Sequence, residues 1–91
     1  MYELRRSQII RAILDYLLKN PHAQDTLPGI AQWWLPQQQI KTNDATLNEV
    51  LTELVARELI LQSKGKDSQL HYSVNKRKLR QIAVLLKHGP S

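Results

Sequence analysis

Cysteine is absent from this 91-residue chain, so neither a disulfide framework nor a thiolate metal site is available. Only three glycines are present, and none stands in a glycine-rich phosphate-binding pattern. The histidines His22, His71 and His88 have no metal-ligand spacing between them, and the sequence contains no HExxH pattern. The sequence therefore predicts no cofactor, no metal site and no enzymatic activity.

Long apolar runs are missing as well, so the sequence predicts no membrane-spanning segment. The first residues, Met1 to Arg6, lack the apolar core and the cleavage site of a signal peptide. A chain of this length is close to the size at which one hydrophobic core is only marginally sufficient, which favours a single domain, 1–91. We expect a soluble cytoplasmic protein with no membrane partner.

Acidic residues are scarce toward the C-terminus, although the formal net charge of the whole chain is only +5. Seven Lys and Arg residues lie in residues 64–91, where Asp67 is the only acid, whereas residues 20–63 hold more acids than bases. This asymmetry indicates a polyanionic partner for the C-terminal part of the chain. The alternative is a solvated basic face that binds nothing.

Apolar residues at helical spacing predict the first two helices. Helix one spans residues 1–20 and ends at Asn20 because the residue before a proline is disfavoured in the α region. Helix two spans residues 25–36, where Asp25 or the threonine after it can cap the helix and Pro36 ends it. Both helices are expected to contribute to the core.

The sequence of the second half of the chain predicts a loop, a helix, a hairpin and a last helix. Residues 37–42 show no periodicity and predict a connection, with or without a β-bridge, in which Ile40 contacts the core. An amphipathic pattern predicts helix three over residues 43–58. Two short apolar strands around a turn predict a hairpin over residues 59–75, and a basic helix follows over residues 76–89.

The block from Leu47 to Ile60, LNEVLTELVARELI, resembles the recognition helix and following strand of the winged helix-turn-helix domains of bacterial transcription regulators. The resemblance covers residues 9–75. It implies an α+β fold, mostly α, with a three-helix core, a β-hairpin wing and an additional C-terminal helix. It also implies a transcription regulator that binds double-stranded DNA.

The predicted contacts with DNA come from three places. Lysines at the hairpin tip and the basic residues that begin the last helix would neutralise backbone phosphates, while an asparagine and a threonine on helix three would reach base edges. Solubility is the alternative role for the lysines at the hairpin tip. The candidate nucleic-acid-binding residues are Lys64, Lys66, Asn48, Thr52, Lys76, Arg77, Lys78 and Arg80.

The exposed face of helix three argues against this interpretation, because it carries Asp44, Glu49 and Glu53 and no Lys or Arg. Carboxylates on a recognition helix would repel the phosphates on both walls of the groove. The alternative function is therefore a protein–protein interaction module on a winged-helix frame that does not bind DNA. Such a module would present this acidic face, or the Trp33-Trp34 pair, to its partner.

Two features predict an interface. Adjacent helical residues point about 100° apart, so one of the two tryptophans is expected in the core and the other on the surface. The last helix is more apolar than a lone surface helix needs, which predicts a homodimer through helix one and the C-terminal helix; the alternative is that these helices pack on each other. The candidate interface residues are Trp33, Trp34, Leu79, Ile82 and Leu86.

Overall fold

The computed structural model describes residues 2–38 and 40–88, and the side chains of residues 6–38 and 40–87. Residues 1 and 89, the outer limits predicted for the first and last helices, lie outside the described residues. The helices and strands are α1 (Tyr2–Lys19), β1 (Gln24–Asp25), α2 (Leu27–Gly29), α3 (Asp44–Ala56), β2 (Ile60–Lys64), β3 (Leu70–Val74) and α4 (Leu79–His88). The class is α+β and mostly helical, as predicted.

One hydrophobic core joins all the longer elements. Helix α1 contributes Ile9, Ile13 and Leu17, all at most 1% exposed, and its end is fixed where the Asn20 N–H donates to the Tyr16 carbonyl at 2.9 Å. Helix α3 and strands β2 and β3 supply further buried side chains, and α4 adds Ile82. None of the helices among the described residues is long and apolar enough to cross a membrane.

The segment predicted as helix two is irregular. Helix α2 begins only at Leu27, because Asp25 belongs to strand β1, and the Thr26 hydroxyl caps the helix by accepting from the Gly29 N–H at 3.3 Å. It continues as a π-helical stretch over Ile30–Trp34, and a 3-10 turn follows over Pro36–Gln38. Trp34 and Leu35, at the end of this stretch, are buried in the core, although the segment forms no long regular helix.

Strand β1 was not expected from the sequence. It pairs antiparallel with β3, which also pairs with β2, so the sheet order is β1-β3-β2. Gln24 and Asp25 are both polar, and two residues are too few to show an alternating pattern. The predicted bridge in residues 37–42 is not observed among the described residues of that segment, where Ile40 packs against the core as expected.

Helix α3 begins at a side-chain cap and ends at a backbone motif. The Asn43 carboxamide oxygen accepts from the Thr46 N–H at 2.7 Å, which caps the start. At the other end Glu58 adopts φ 61°, and the Leu59 N–H donates to the Leu54 carbonyl at 3.0 Å, as in a Schellman motif. The helix therefore ends at Ala56, and β2 begins four residues later.

Candidate nucleic-acid interface

The hairpin of β2 and β3, called the wing below, places two lysines at its tip. Lys64 is the last residue of β2 and pairs with Leu70, and Lys66 lies in the connecting turn. Both lysines are exposed, and Leu70 is 45% exposed, so the tip extends beyond the core. The two ammonium groups are available to an external anion.

The turn at the wing tip is ordered by its own side chains. The Asp67 carboxylate accepts from the Gln69 N–H at 3.0 Å and lies 3.2 Å from His71 Nε2. The backbone hydrogen bond from Gln69, followed by the contact with His71, lowers the pKa of Asp67 from its usual value. A Cβ at Gly65 would lie 2.6 Å from His71 Nε2, so glycine leaves room for this contact.

Asp67, the acidic residue of the wing, therefore makes its contacts within the turn. Its partner is the His71 imidazole and not a lysine, because no lysine lies within ion-pair distance of Asp67 among the described side chains. The lysines at the tip keep their charge unpaired among the described side chains.

A second group of cations lies at the base of the wing. Residues Lys76–Lys78 form a 3-10 turn that leads into α4. The Asn75 carboxamide oxygen accepts from the Arg77 N–H at 3.2 Å. We call this group the basic cluster, and its members are Lys76, Arg77, Lys78 and Arg80. All are exposed except Lys78, which is half-buried.

Strand β3 sets the distance between the tip and the base. From Leu70 to Val74 the strand advances four steps of about 3.4 Å, or roughly 14 Å. The two groups of cations therefore lie at opposite ends of this strand.

Helix α3 presents the residues predicted to read bases. Asn48 and Thr52 are both exposed, and the Thr52 hydroxyl donates to the Asn48 carbonyl at 2.8 Å. That bond occupies the hydroxyl proton of Thr52, which leaves it as an acceptor only. The Asn48 carboxamide has no hydrogen bond to any described side chain or backbone group, so it keeps both donor and acceptor capacity for a base edge.

Two of the three carboxylates on the exposed face of α3 pair with Arg6, a residue that was not predicted as part of the site. Arg6 on α1 reaches Glu49 with Nη1 and Glu53 with Nη2, each at 2.8 Å. Arg57 adds a longer contact of 3.4 Å to Glu53. Two guanidinium groups therefore offset the charge of Glu49 and Glu53, whereas Asp44 has no ion pair among the described side chains.

No local signal in the sequence reveals the Arg6 contact, because 43 residues separate Arg6 from Glu49. It arises from the packing of α1 on α3.

The predicted interface residues lie in different environments. Trp33 is 63% exposed, whereas Trp34 is buried and stacks on Tyr16 with ring centroids 4.7 Å apart. The 100° spacing of helical neighbours therefore predicted the split between the two rings. Trp34 is a core residue and offers no surface to a partner.

Helices α1 and α4 pack against each other within the chain. Ile82 is fully buried, Leu79 and Leu86 are partly buried against the core, and the Arg11 guanidinium donates to the Leu86 carbonyl at 2.7 Å. Because Ile82 is fully buried, it has no surface for a dimer contact. The alternative, in which α1 and α4 pack on each other within one chain, is the arrangement observed. The apolar stripe of α4 is used by the chain's own core.

No metal site is formed by the described residues, where no group of three His, Asp or Glu side chains converges. Comparison with protein-family models, with curated proteins and with solved structures finds no match to this chain.

Proposed function

We propose that this chain is a winged-helix DNA-binding domain of a transcription regulator, which contacts phosphates through the wing tip and the basic cluster. The winged-helix assignment is supported by the order of its elements, with an antiparallel hairpin directly after the third long helical segment. It is also supported by the sheet, in which β3 lies between β1 and β2 and anchors the hairpin to the helical core.

The observation that carries the proposal is the concentration of cations without a carboxylate partner at the wing. Arg6, Lys19 and Arg57 each face a carboxylate. Of the described cations that face none, only Arg11, Lys41 and Lys87 lie outside the wing tip and the basic cluster. Among the described side chains, none of the six cations of the wing tip and the basic cluster does so. Unpaired cations at both ends of one hairpin are suited to a ligand with regularly spaced negative charges, and duplex DNA is such a ligand.

Sequence preference is assigned to α3. Asn48 carries the side chain best suited to adenine, since a carboxamide can donate and accept at the same base edge. The Arg6 contacts with Glu49 and Glu53 lower the electrostatic cost of bringing this face toward phosphates. The proposed complex therefore combines strong phosphate contacts with modest base reading.

The experiment that tests this function is fluorescence anisotropy of a labelled random duplex at low salt. Two charge-reversed variants are compared, Lys64→Glu with Lys66→Glu, and Lys76→Glu with Arg77→Glu. Each is expected to weaken binding about tenfold or more, whatever the DNA sequence, because phosphate contacts carry no sequence information.

The matched control is Lys41→Glu with Lys87→Glu. Both lysines are exposed and lie outside the two groups of cations, and the double substitution changes the net charge by the same amount. This variant is expected to lose much less affinity. An equal loss in all three variants would mean that only net charge matters, and the proposed surface would be wrong.

A protein-interaction module is the second candidate function, and the exposure of Trp33 favours it. A tryptophan that is 63% exposed lies within residues 26–40, which contain no charged residue. Aromatic side chains of this kind anchor protein interfaces. On this alternative the protein does not bind duplex DNA at physiological salt, and a partner captured by the native chain is lost with Trp33→Ala.

A further inference from the structure

A concave cleft of about 400 Å³ lies at the base of the wing, beside the basic cluster. Its walls come from the turn after α1, including Pro21 and His22, and from the start of the basic cluster, Lys76 and Arg77. Its floor is the outer face of the sheet. Segments far apart in sequence therefore meet in one depression.

The floor of the cleft is uncovered and carries one large apolar side chain, Leu61. Leu61 on β2 is 50% exposed and pairs across the sheet with Ser73, which in turn pairs with Gln24 on β1. These three side chains form a row on the face of the sheet that points away from the core, because their neighbours Ile60 and Val74 are buried. A ring or a short alkyl chain resting on Leu61 would bury apolar surface that water now covers.

The rim of the cleft is positively charged on one side. Lys76 and Arg77 both line it, and none of the described residues that line it carries a carboxylate. A cleft lined by two cations and no acid excludes cationic ligands and favours anionic ones.

A contact within the cleft orients one of these cations. Lys76 Nζ lies 3.1 Å from His22 Nδ1. An ammonium group has only donors, so Lys76 donates and Nδ1 accepts in this contact. The contact uses one N–H of Lys76 and leaves two for a ligand.

From these features we infer that the cleft binds a small organic anion, an apolar ring or chain that carries one carboxylate, sulfonate or phosphate group. The apolar part lies on Leu61 and the anionic group is bound by Lys76 and Arg77. Ligand sites have volumes of about 300–1,000 Å³, so the cleft is large enough for a molecule of this class. The inference does not depend on DNA binding, although an anion held here would compete with DNA for the same two cations.

The test uses the native chain without DNA and anilinonaphthalene sulfonate as the probe, since this dye joins aromatic rings to one sulfonate and fluoresces when bound. We expect saturable binding that weakens about tenfold in Lys76→Gln with Arg77→Gln, the effect of losing a charge-assisted contact. Leu61→Ser is expected to weaken binding severalfold. Phenylnaphthylamine, which has the rings without the sulfonate, is expected to bind at least about tenfold more weakly than the dye.

The control is Lys41→Gln with Lys87→Gln, which removes two exposed charges outside the cleft and should leave the dye affinity within about twofold. Thermal unfolding of each variant shows that it is folded. Absence of saturable dye binding would overturn the inference. So would equal affinity in the native chain and in the Lys76→Gln, Arg77→Gln variant, because the dye would then be bound elsewhere, for example at Trp33.

Discussion

The Asn75 carboxamide donates a hydrogen bond from Nδ2 to the backbone carbonyl oxygen of Glu58, with 2.8 Å between the two atoms. The same side chain accepts from the Arg77 N–H through Oδ1 at 3.2 Å. One residue therefore joins the C-terminal end of α3 to the first residues of the basic cluster. The position of the cluster relative to the wing and α3 is fixed by this link.

Replacement of Asn75 is expected to destabilise the fold. Asn75→Ala removes both hydrogen bonds and should lower the free energy of unfolding by about 1–2 kcal/mol. Asn75→Asp keeps the acceptor for the Arg77 N–H but replaces the donor with a carboxylate oxygen that faces the Glu58 carbonyl, so it should also be less stable than the native chain. Urea unfolding followed by circular dichroism measures both values. An Asn75→Ala variant as stable as the native chain would contradict this role.

Glycine at position 58 should stabilise the protein. Glu58 has φ 61° at the end of α3, a conformation that is costly for a residue with a Cβ. Glu58→Gly should therefore raise the free energy of unfolding by about 1 kcal/mol, and Glu58→Ala, which retains the Cβ, should give no such gain. Chemical denaturation measures the free energy of unfolding of both variants. Both lose the carboxylate, so a difference between them reports the effect of the Cβ on the backbone.

The two adjacent tryptophans should differ sharply in their contribution to stability. Trp34 is 2% exposed and stacks on Tyr16, so Trp34→Ala should cost about 3–5 kcal/mol. Trp33→Ala removes a largely exposed ring and should change stability by less than about 0.5 kcal/mol. Each variant is the control for the other, and circular dichroism during urea unfolding is the measurement. Similar losses would mean that Trp33 is also a core residue.

Removal of Arg6 should weaken DNA binding more than its single charge explains. Arg6→Ala uncovers Glu49 and Glu53 on the face of α3 proposed to approach DNA. Lys19→Ala is the matched control, since it removes a cation from α1 that is paired with Asp15. Because ion pairs of this exposure contribute at most about 1 kcal/mol, both variants should stay folded.

Anisotropy measurements should show a severalfold larger loss for Arg6→Ala than for Lys19→Ala. Adding Glu49→Gln and Glu53→Gln to the Arg6→Ala variant should restore affinity. If the added substitutions restore nothing, the α3 face does not approach DNA.

The sequence predicts best what depends on near neighbours. Helices α1 and α3 follow from the spacing of apolar residues, and the wing follows from two short apolar strands around a turn. The split between Trp33 and Trp34 follows from helical geometry alone. Each of these features is set within a few residues of chain.

Features that depend on distant partners could not be predicted. Strand β1 exists because Gln24 and Asp25 meet β3 almost fifty residues later, and neither residue has strand character of its own. Ile82 is buried because α1 lies against α4. The apolar stripe of α4 is compatible with this packing and equally with a dimer contact, so the sequence alone does not decide between them. The contacts of Arg6 with Glu49 and Glu53 likewise depend on two helices that are far apart in sequence.

The salt dependence of binding to a random duplex tests the central claim most directly. Each phosphate contact contributes about 0.9 to the slope of log affinity against log salt, so six cations in contact predict a slope of roughly −5. Lys64→Glu with Lys66→Glu should reduce its magnitude by about 2. That result would support phosphate binding by the wing. Absence of binding at low salt, or a slope that this variant leaves unchanged, would contradict it.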